Sequence, residues 1–126
     1  MDKKIRILVI EDDEYTRDIY NETLTEAGFA VETAVDGLDG LLKAQQGGYK
    51  LILLDVMMPK KNGIEVLQGL KENPPKTANG IIVLLTNLAQ NPVVAEAMTL
   101  GAKSYLIKSD MNPDDLVAHV KKFLAS

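Results

Sequence analysis

Leu51-Ile52-Leu53-Leu54-Asp55 is the stretch on which the reading of this chain turns: four large apolar residues in series, then a carboxylate, with Val56-Met57-Met58-Pro59 and Gly63 following. An apolar run without alternation reads as a strand buried on both faces, the situation of a parallel sheet covered by helices on each side. An acid at the end of such a strand sits at the carboxyl edge, where open parallel sheets present their reactive groups. Asp55 is therefore read as chemically active.

A second segment of the same design opens the chain, where Ile5 to Ile10 runs into Glu11-Asp12-Asp13-Glu14. If the two strands are neighbours, Asp12, Asp13 and Asp55 converge at one sheet edge. Two carboxylates about 5 Å apart repel by roughly 3 kcal/mol at an effective dielectric of about 20, so clustered acids destabilise the fold unless something neutralises them. A divalent cation or an approaching lysine would do so. With hard oxygen ligands, no cysteine in the chain and no histidine nearby, the cation expected is magnesium rather than zinc or copper.

Five apolar runs alternate with five amphipathic stretches, the pattern of βαβ units around a parallel sheet. The strands are read at Ile5 to Ile10, Ala30 to Ala34, Leu51 to Leu54, Ile81 to Leu85 and Ser104 to Ile107. The first helix carries Tyr15, Ile19, Thr23 and Ala27 at helical spacing, with Gly28 as its stop. Asp36 caps the second, whose periodic residues are Leu38, Leu41, Leu42 and Gln45. Ile64, Leu67 and Leu70-Lys71 mark the third, closed by Asn73-Pro74-Pro75. The fourth and fifth open on Asn91-Pro92 and Asn112-Pro113, a capping residue followed by proline in the first turn. Val94, Ala97, Met98 and Leu100 line the fourth; Leu116, Val117, Val120, Phe123 and Leu124 line the fifth. The expected fold is a doubly wound, flavodoxin-like α/β domain, a five-stranded parallel sheet flanked by five helices. Pro74 to Gly80 reads as a surface loop at the face opposite the acids.

At 126 residues the chain is expected to form one domain, over residues 1–126, large enough to bury a core without staples. The absence of cysteine excludes disulfides and fits a reducing cytoplasm. Met1-Asp2-Lys3-Lys4 leads directly into a strand, so no signal peptide is read, and no apolar run approaches the roughly 20 residues that span a bilayer. A net charge of -4 removes the basic field that gives non-specific nucleic-acid affinity, so direct DNA binding is not expected. His119, the single histidine, reads as a surface or half-buried residue.

The remaining strands end in polar groups at the same edge, the fourth in Thr86 and the fifth in Lys108. With Asp12, Asp13, Asp55, Thr86 and Lys108 at those strand ends, and with Met58-Pro59, Gly63, Gly101-Ala102 and Tyr105, the chain resembles the receiver domain of bacterial two-component response regulators (the CheY-like domain) over essentially its whole length. The resemblance implies that Asp55 accepts a phosphoryl group from a phosphohistidine on a sensor histidine kinase or phosphotransfer protein. It implies that Asp12 and Asp13 hold Mg²⁺ together with Asp55 and the backbone carbonyl of Met57, and that Lys108 pairs with the phosphoryl oxygens. Thr86 and Tyr105 become the switch pair, and the surface of the fourth helix, fifth strand and fifth helix the place where an output protein, an output domain or a second copy docks. The domain is then regulatory rather than an enzyme, promoting only its own phosphoryl transfer. No output domain is read in the chain, which is expected to signal by docking or to be part of a longer protein.

Two positions depart from the family pattern. Ser109 follows Lys108 where the family usually has proline, and Asn87 stands where a small residue usually follows the switch threonine. Met57 and Leu88 occupy positions that by the same resemblance flank the path of an attacking water, and both are apolar, so hydrolysis of the phosphorylated form is expected to be slow. Other readings are weaker. A flavin carrier of the same architecture would not place Glu11-Asp12-Asp13-Glu14 against a flavin phosphate, and a phosphatase of the haloacid dehalogenase type needs an acid at the position of Met57. A receiver-like interaction module that works without phosphorylation is the main alternative.

Overall fold

Ile10 of the first strand lies directly beside Leu54 of the third, so the two most apolar runs of the chain are neighbours in the sheet. The computed structural model describes residues 4–58, 60–87 and 92–125. In chain order its elements are β1 (Arg6–Ile10), α1 (Glu14–Glu26), β2 (Ala30–Ala34), α2 (Gly37–Ala44), β3 (Leu51–Asp55), α3 (Gly63–Glu72), β4 (Ile81–Thr86), α4 (Pro92–Thr99), β5 (Ser104–Ile107) and α5 (Pro113–Ala125), with a single 3-10 turn at Lys108–Asp110. All strand pairings are parallel, in the order β2-β1-β3-β4-β5. This is the doubly wound α/β sheet that the alternation of runs predicts.

The strands' pleat divides the core in two. Leu8, Ile10, Ile52, Leu54 and Leu84 point to one side and pack with Leu41, Leu67, Val94 and Ala97 of α2, α3 and α4. Ile7, Val9, Leu51, Leu53, Val83 and Leu85 point to the other and pack with Tyr20, Leu24, Leu116 and Val120 of α1 and α5. The three central strands are thus buried on both faces, which is why they read as continuous apolar runs.

Local chemistry sets the helix starts. Asp36 accepts from the Asp39 amide at 2.8 Å, as expected of an N-cap. Asn112 accepts from the Asp115 amide at 2.8 Å, and the Asp115 carboxylate accepts from the Asn112 amide at 3.1 Å. Asn62 and Glu65 form the same reciprocal box at α3. Asn91, expected to cap α4, lies outside the described residues, as do Pro59 and Leu88. The loop before β4 is tied down by Asn79, whose side chain accepts from the Tyr49 amide and donates to the Ala44 carbonyl.

Two apolar stripes differ from expectation. On α1, Ile19 and Ala27 pack against the core as expected, together with the buried Tyr20 and Leu24, whereas Tyr15 is 75% exposed. On α2, Leu38 and Leu42 are exposed, and Gly37, Gly40, Leu41 and Ala44 face inward. A Cβ on Gly40 would stand 2.6 Å from Ile10 Cγ2, so this helix packs close to the sheet and small residues fill most of its inward stripe beside Leu41. Met98 on α4 is likewise exposed.

At the start of α2 the approach is closer still, since a Cβ on Gly37 would fall 1.6 Å from the Lys61 carbonyl oxygen. Helix propensity alone favours alanine over glycine by about 1 kcal/mol. The steric conflict reverses that sign, and Gly37→Ala should destabilise by about 1–3 kcal/mol in urea unfolding. A stabilised variant would contradict the close packing of this loop on α2.

Candidate functional site

Because β1 and β3 run in register, the residue after Ile10 and the residue after Leu54 come out level at the carboxyl edge. Those residues are Glu11 and Asp55. Glu11 is fully buried and Asp55 is 4% exposed. Lys108, arriving from the end of β5, places its Nζ 2.6 Å from Glu11 Oε1 and 3.0 Å from Asp55 Oδ2. The other Asp55 oxygen accepts from the Met57 amide at 3.2 Å. One ammonium thus holds two buried carboxylates, and the third acid, Asp12, stands exposed beside them. Oxygens of Glu11, Asp12 and Asp55 lie within 4.8 Å of one another.

Asp13 is placed differently. Its side chain accepts from the Thr16 amide at 2.9 Å and from the Thr16 hydroxyl at 2.6 Å, making it the N-cap of α1. That hydrogen bonding holds its carboxyl below the usual range and keeps it an anion at the positive end of the helix. Of the two acids expected beside Asp55, Asp12 is grouped with it, Asp13 borders the same cleft while capping α1, and Glu11 completes the group. The signal was the strand register, since an acid one residue past Ile10 must come level with Asp55.

Thr86 closes β4 beside Asp55 and is 2% exposed. Tyr105 pairs with Leu84 on β5, two residues short of Thr86 in register, and its ring is half-exposed. Together with Met57 and Asn87, the three acids, Asp13, Thr86 and Lys108 line one cleft of about 400 Å³. Every strand-end residue named from the sequence borders this edge; Tyr105 stands behind it.

The electrostatics follow from burial. Removal from water pushes the Asp55 carboxyl up to about 7, the hydrogen bond and negative charge of Glu11 push in the same direction, and Lys108 only partly offsets them. For Lys108 burial favours the neutral amine, but the two carboxylates outweigh it and hold the ammonium above its ordinary range. Three carboxylates facing one ammonium leave two negative charges uncompensated, the charge of one divalent cation. The donors are all hard oxygens, and the residues fit a magnesium-like ion.

A family model described as the response regulator receiver domain matches residues 7–121. The transcriptional regulatory protein DltR of Streptococcus agalactiae is 34% identical over 117 residues, covering 93% of this chain and 50% of that protein. The chemotaxis protein CheY of Treponema pallidum is 36% identical over 106 residues, covering 82% of this chain and 72% of its own. Among solved structures, a CheY-like receiver domain from Methanospirillum hungatei superposes with a TM-score of 0.84 at 28% identity, covering 98% of this chain and 95% of that one. The chain spans about half the length of the transcriptional regulators it matches.

In metal-free buffer Asp55 in the folded chain retains its proton up to about pH 7, whereas an unfolded aspartate releases it near 3.8. The native state then binds more protons across that interval, so the contribution of Asp55 to stability is present below about pH 4 and is lost as pH rises to about 7. Asp55→Asn removes the loss. Its stability gain over the parent should grow between pH 4 and 7 and level off above, and a gain that is independent of pH would contradict the raised Asp55 carboxyl.

Proposed function

The chain belongs to the response regulator receiver domain family, and from that membership we propose that it is a phosphoacceptor switch in which Asp55 takes a phosphoryl group from a phosphohistidine donor. The donor is a sensor histidine kinase or a phosphotransfer protein. The observation that carries this reading is the two-carboxylate contact of Lys108, which puts a cation beside the acid that ends the fully buried strand β3.

Phosphoryl transfer asks for an in-line nucleophile and for positive charge near the equatorial oxygens. Asp55 supplies the nucleophilic oxygen; as its bond to phosphorus forms, the phosphorus–nitrogen bond breaks and the donor's imidazole leaves. Glu11, Asp12 and Asp55, with the Met57 carbonyl, would hold Mg²⁺, which when bound neutralises the acids and the transferred group. Lys108 is released from Asp55 Oδ2 to pair with phosphoryl oxygens. The product adds roughly 1.5 to 2 negative charges beside Thr86. The Thr86 hydroxyl hydrogen-bonds the new group, and Tyr105, on the same side of the sheet edge, fills the space that this movement vacates.

The readout surface is the α4-β5-α5 face, where Glu96, Lys103, Asp110 and Lys121 are exposed. A downstream output protein, an output domain on a longer chain, or a second copy would dock there. The work is regulatory, in the cytoplasm, with no direct nucleic-acid contact and no membrane insertion by this domain. Among the described residues no helix is long and apolar enough to cross a membrane.

Acetyl phosphate with magnesium should add the mass of one phosphoryl group to the intact chain. Asp55→Ala should add none, and Lys108→Met should be labelled far more slowly. Labelling of Asp55→Ala at the parent's rate would overturn the assignment. The decay of the label in magnesium buffer should be slow, since Met57 is apolar.

A further inference from the structure

Three acids emerge from one loop and one strand end, yet only two of them have an obvious means of being held. Asp55 belongs to β3, and Glu11 is fixed by its amide, which donates to the Ala34 carbonyl at 3.1 Å, and by Lys108. Asp12 is exposed, outside any strand or helix. Among the described residues it has one hydrogen bond, and Arg17 is the donor.

Arg17 sits in the first turns of α1, half-buried, and its guanidinium folds back over the loop that precedes its own helix. Nη1 donates to the Glu11 carbonyl at 3.0 Å and to the Asp12 carbonyl at 3.3 Å. Among the described residues Arg17 forms no ion pair, so its bonding is spent on the backbone and not on a carboxylate. Two successive carbonyls tied to one nitrogen fix the peptide between Glu11 and Asp12, and with it the directions in which both side chains leave the chain. The anchor is the helix itself: the Arg17 amide donates to the Asp13 carbonyl at 2.8 Å, and Asp13 caps α1.

We propose that Arg17 is a positioning residue for cation binding, holding Glu11 and Asp12 at the separation from Asp55 that a divalent ion requires. This rests on the reading that those three acids are the ion's ligands. Outer groups that orient metal ligands typically matter by 10- to 100-fold in affinity.

Charge and position make opposite predictions here. Removing a positive group from beside three acids strengthens cation binding if charge is what Arg17 contributes, and weakens it if orientation is. Arginine and lysine share a charge, but the lysine ammonium ends one bond short of the position of Nη1 and does not reach both carbonyls from this site.

Magnesium affinity of the full chain, measured by calorimetry at pH 7.5 (about half a unit above the Asp55 value) for the parent, Arg17→Met and Arg17→Lys, separates them. Both variants should bind magnesium about tenfold more weakly, and the deficit should persist in high salt, because screening acts on charge and not on loop geometry. Tighter binding by Arg17→Met, or parent-like binding by Arg17→Lys, would overturn the proposal. If Arg17→Met does not fold, Arg17→Lys decides alone. A parent that binds no magnesium, or an Asp55→Ala variant that binds it as the parent does, would defeat the ligand assignment and this inference with it, whereas a parent that binds and an Arg17→Lys that matches it would defeat only the role of Arg17.

Discussion

The contact on which the rest of the molecule depends is the one between Lys108 and two carboxylates buried side by side. Two like charges out of water are costly, and one ammonium cannot neutralise both. The fold imposes this arrangement through strand register: as long as Ile10 pairs with Leu54, Glu11 and Asp55 must emerge level, and as long as β5 lies beside β4, Lys108 must arrive opposite them. The sheet supplies the rigidity that keeps the acids together, and the acids in return leave an edge short of positive charge. Burial and the neighbouring Glu11 together push the Asp55 carboxyl up to about 7, with Lys108 offsetting them only in part.

The surroundings are built to keep that edge in place. Asp13 starts α1, Arg17 ties α1 to the loop in front of it, and Gly63 brings α3 so near that its amide donates to the Val56 carbonyl at 3.1 Å. Between β3 and α3 the chain turns through Lys60 with φ +67°, the only left-handed residue other than glycine among those described. The Lys60 ammonium reaches the Asp36 carboxylate at 3.4 Å, and the neighbouring Lys61 carbonyl fills the space that Gly37 leaves. The loop that follows Asp55 therefore rests on the N-terminus of α2 instead of hanging in solvent.

The sheet was legible because its central strands have no polar face, and the run Leu51 to Asp55 could be placed as a buried strand with a reactive end from residue types alone. Asp55, Thr86 and Lys108 could be placed at the cleft from sequence because each directly follows or ends an apolar run. Geometry groups Glu11 and Asp12 with Asp55. Asp13 looks like a ligand in sequence, yet three residues before Thr16 amid a helix start it is the residue type that caps. Glu11 looks like loop, yet register puts it beside Asp55. On α1 only Tyr15 was misplaced, and on α2 Leu38 and Leu42: the inward stripe of α2, through Gly37, Gly40, Leu41 and Ala44, consists mostly of small residues that apolar periodicity does not mark. The Arg17 contacts with backbone carbonyls have no signature in sequence at all.

Asn87 and Ser109, at the rim and at the foot of Lys108, are the two residues that keep a phosphate-independent interaction module in competition. Beryllofluoride, a stable phosphoryl mimic, distinguishes the two accounts by fluorine resonance. If Asp55 is a phosphoacceptor held in a cation-bound pocket, the mimic binds only with magnesium present and not at all to Asp55→Ala. Binding without magnesium, or no binding by the parent under any condition, would contradict it.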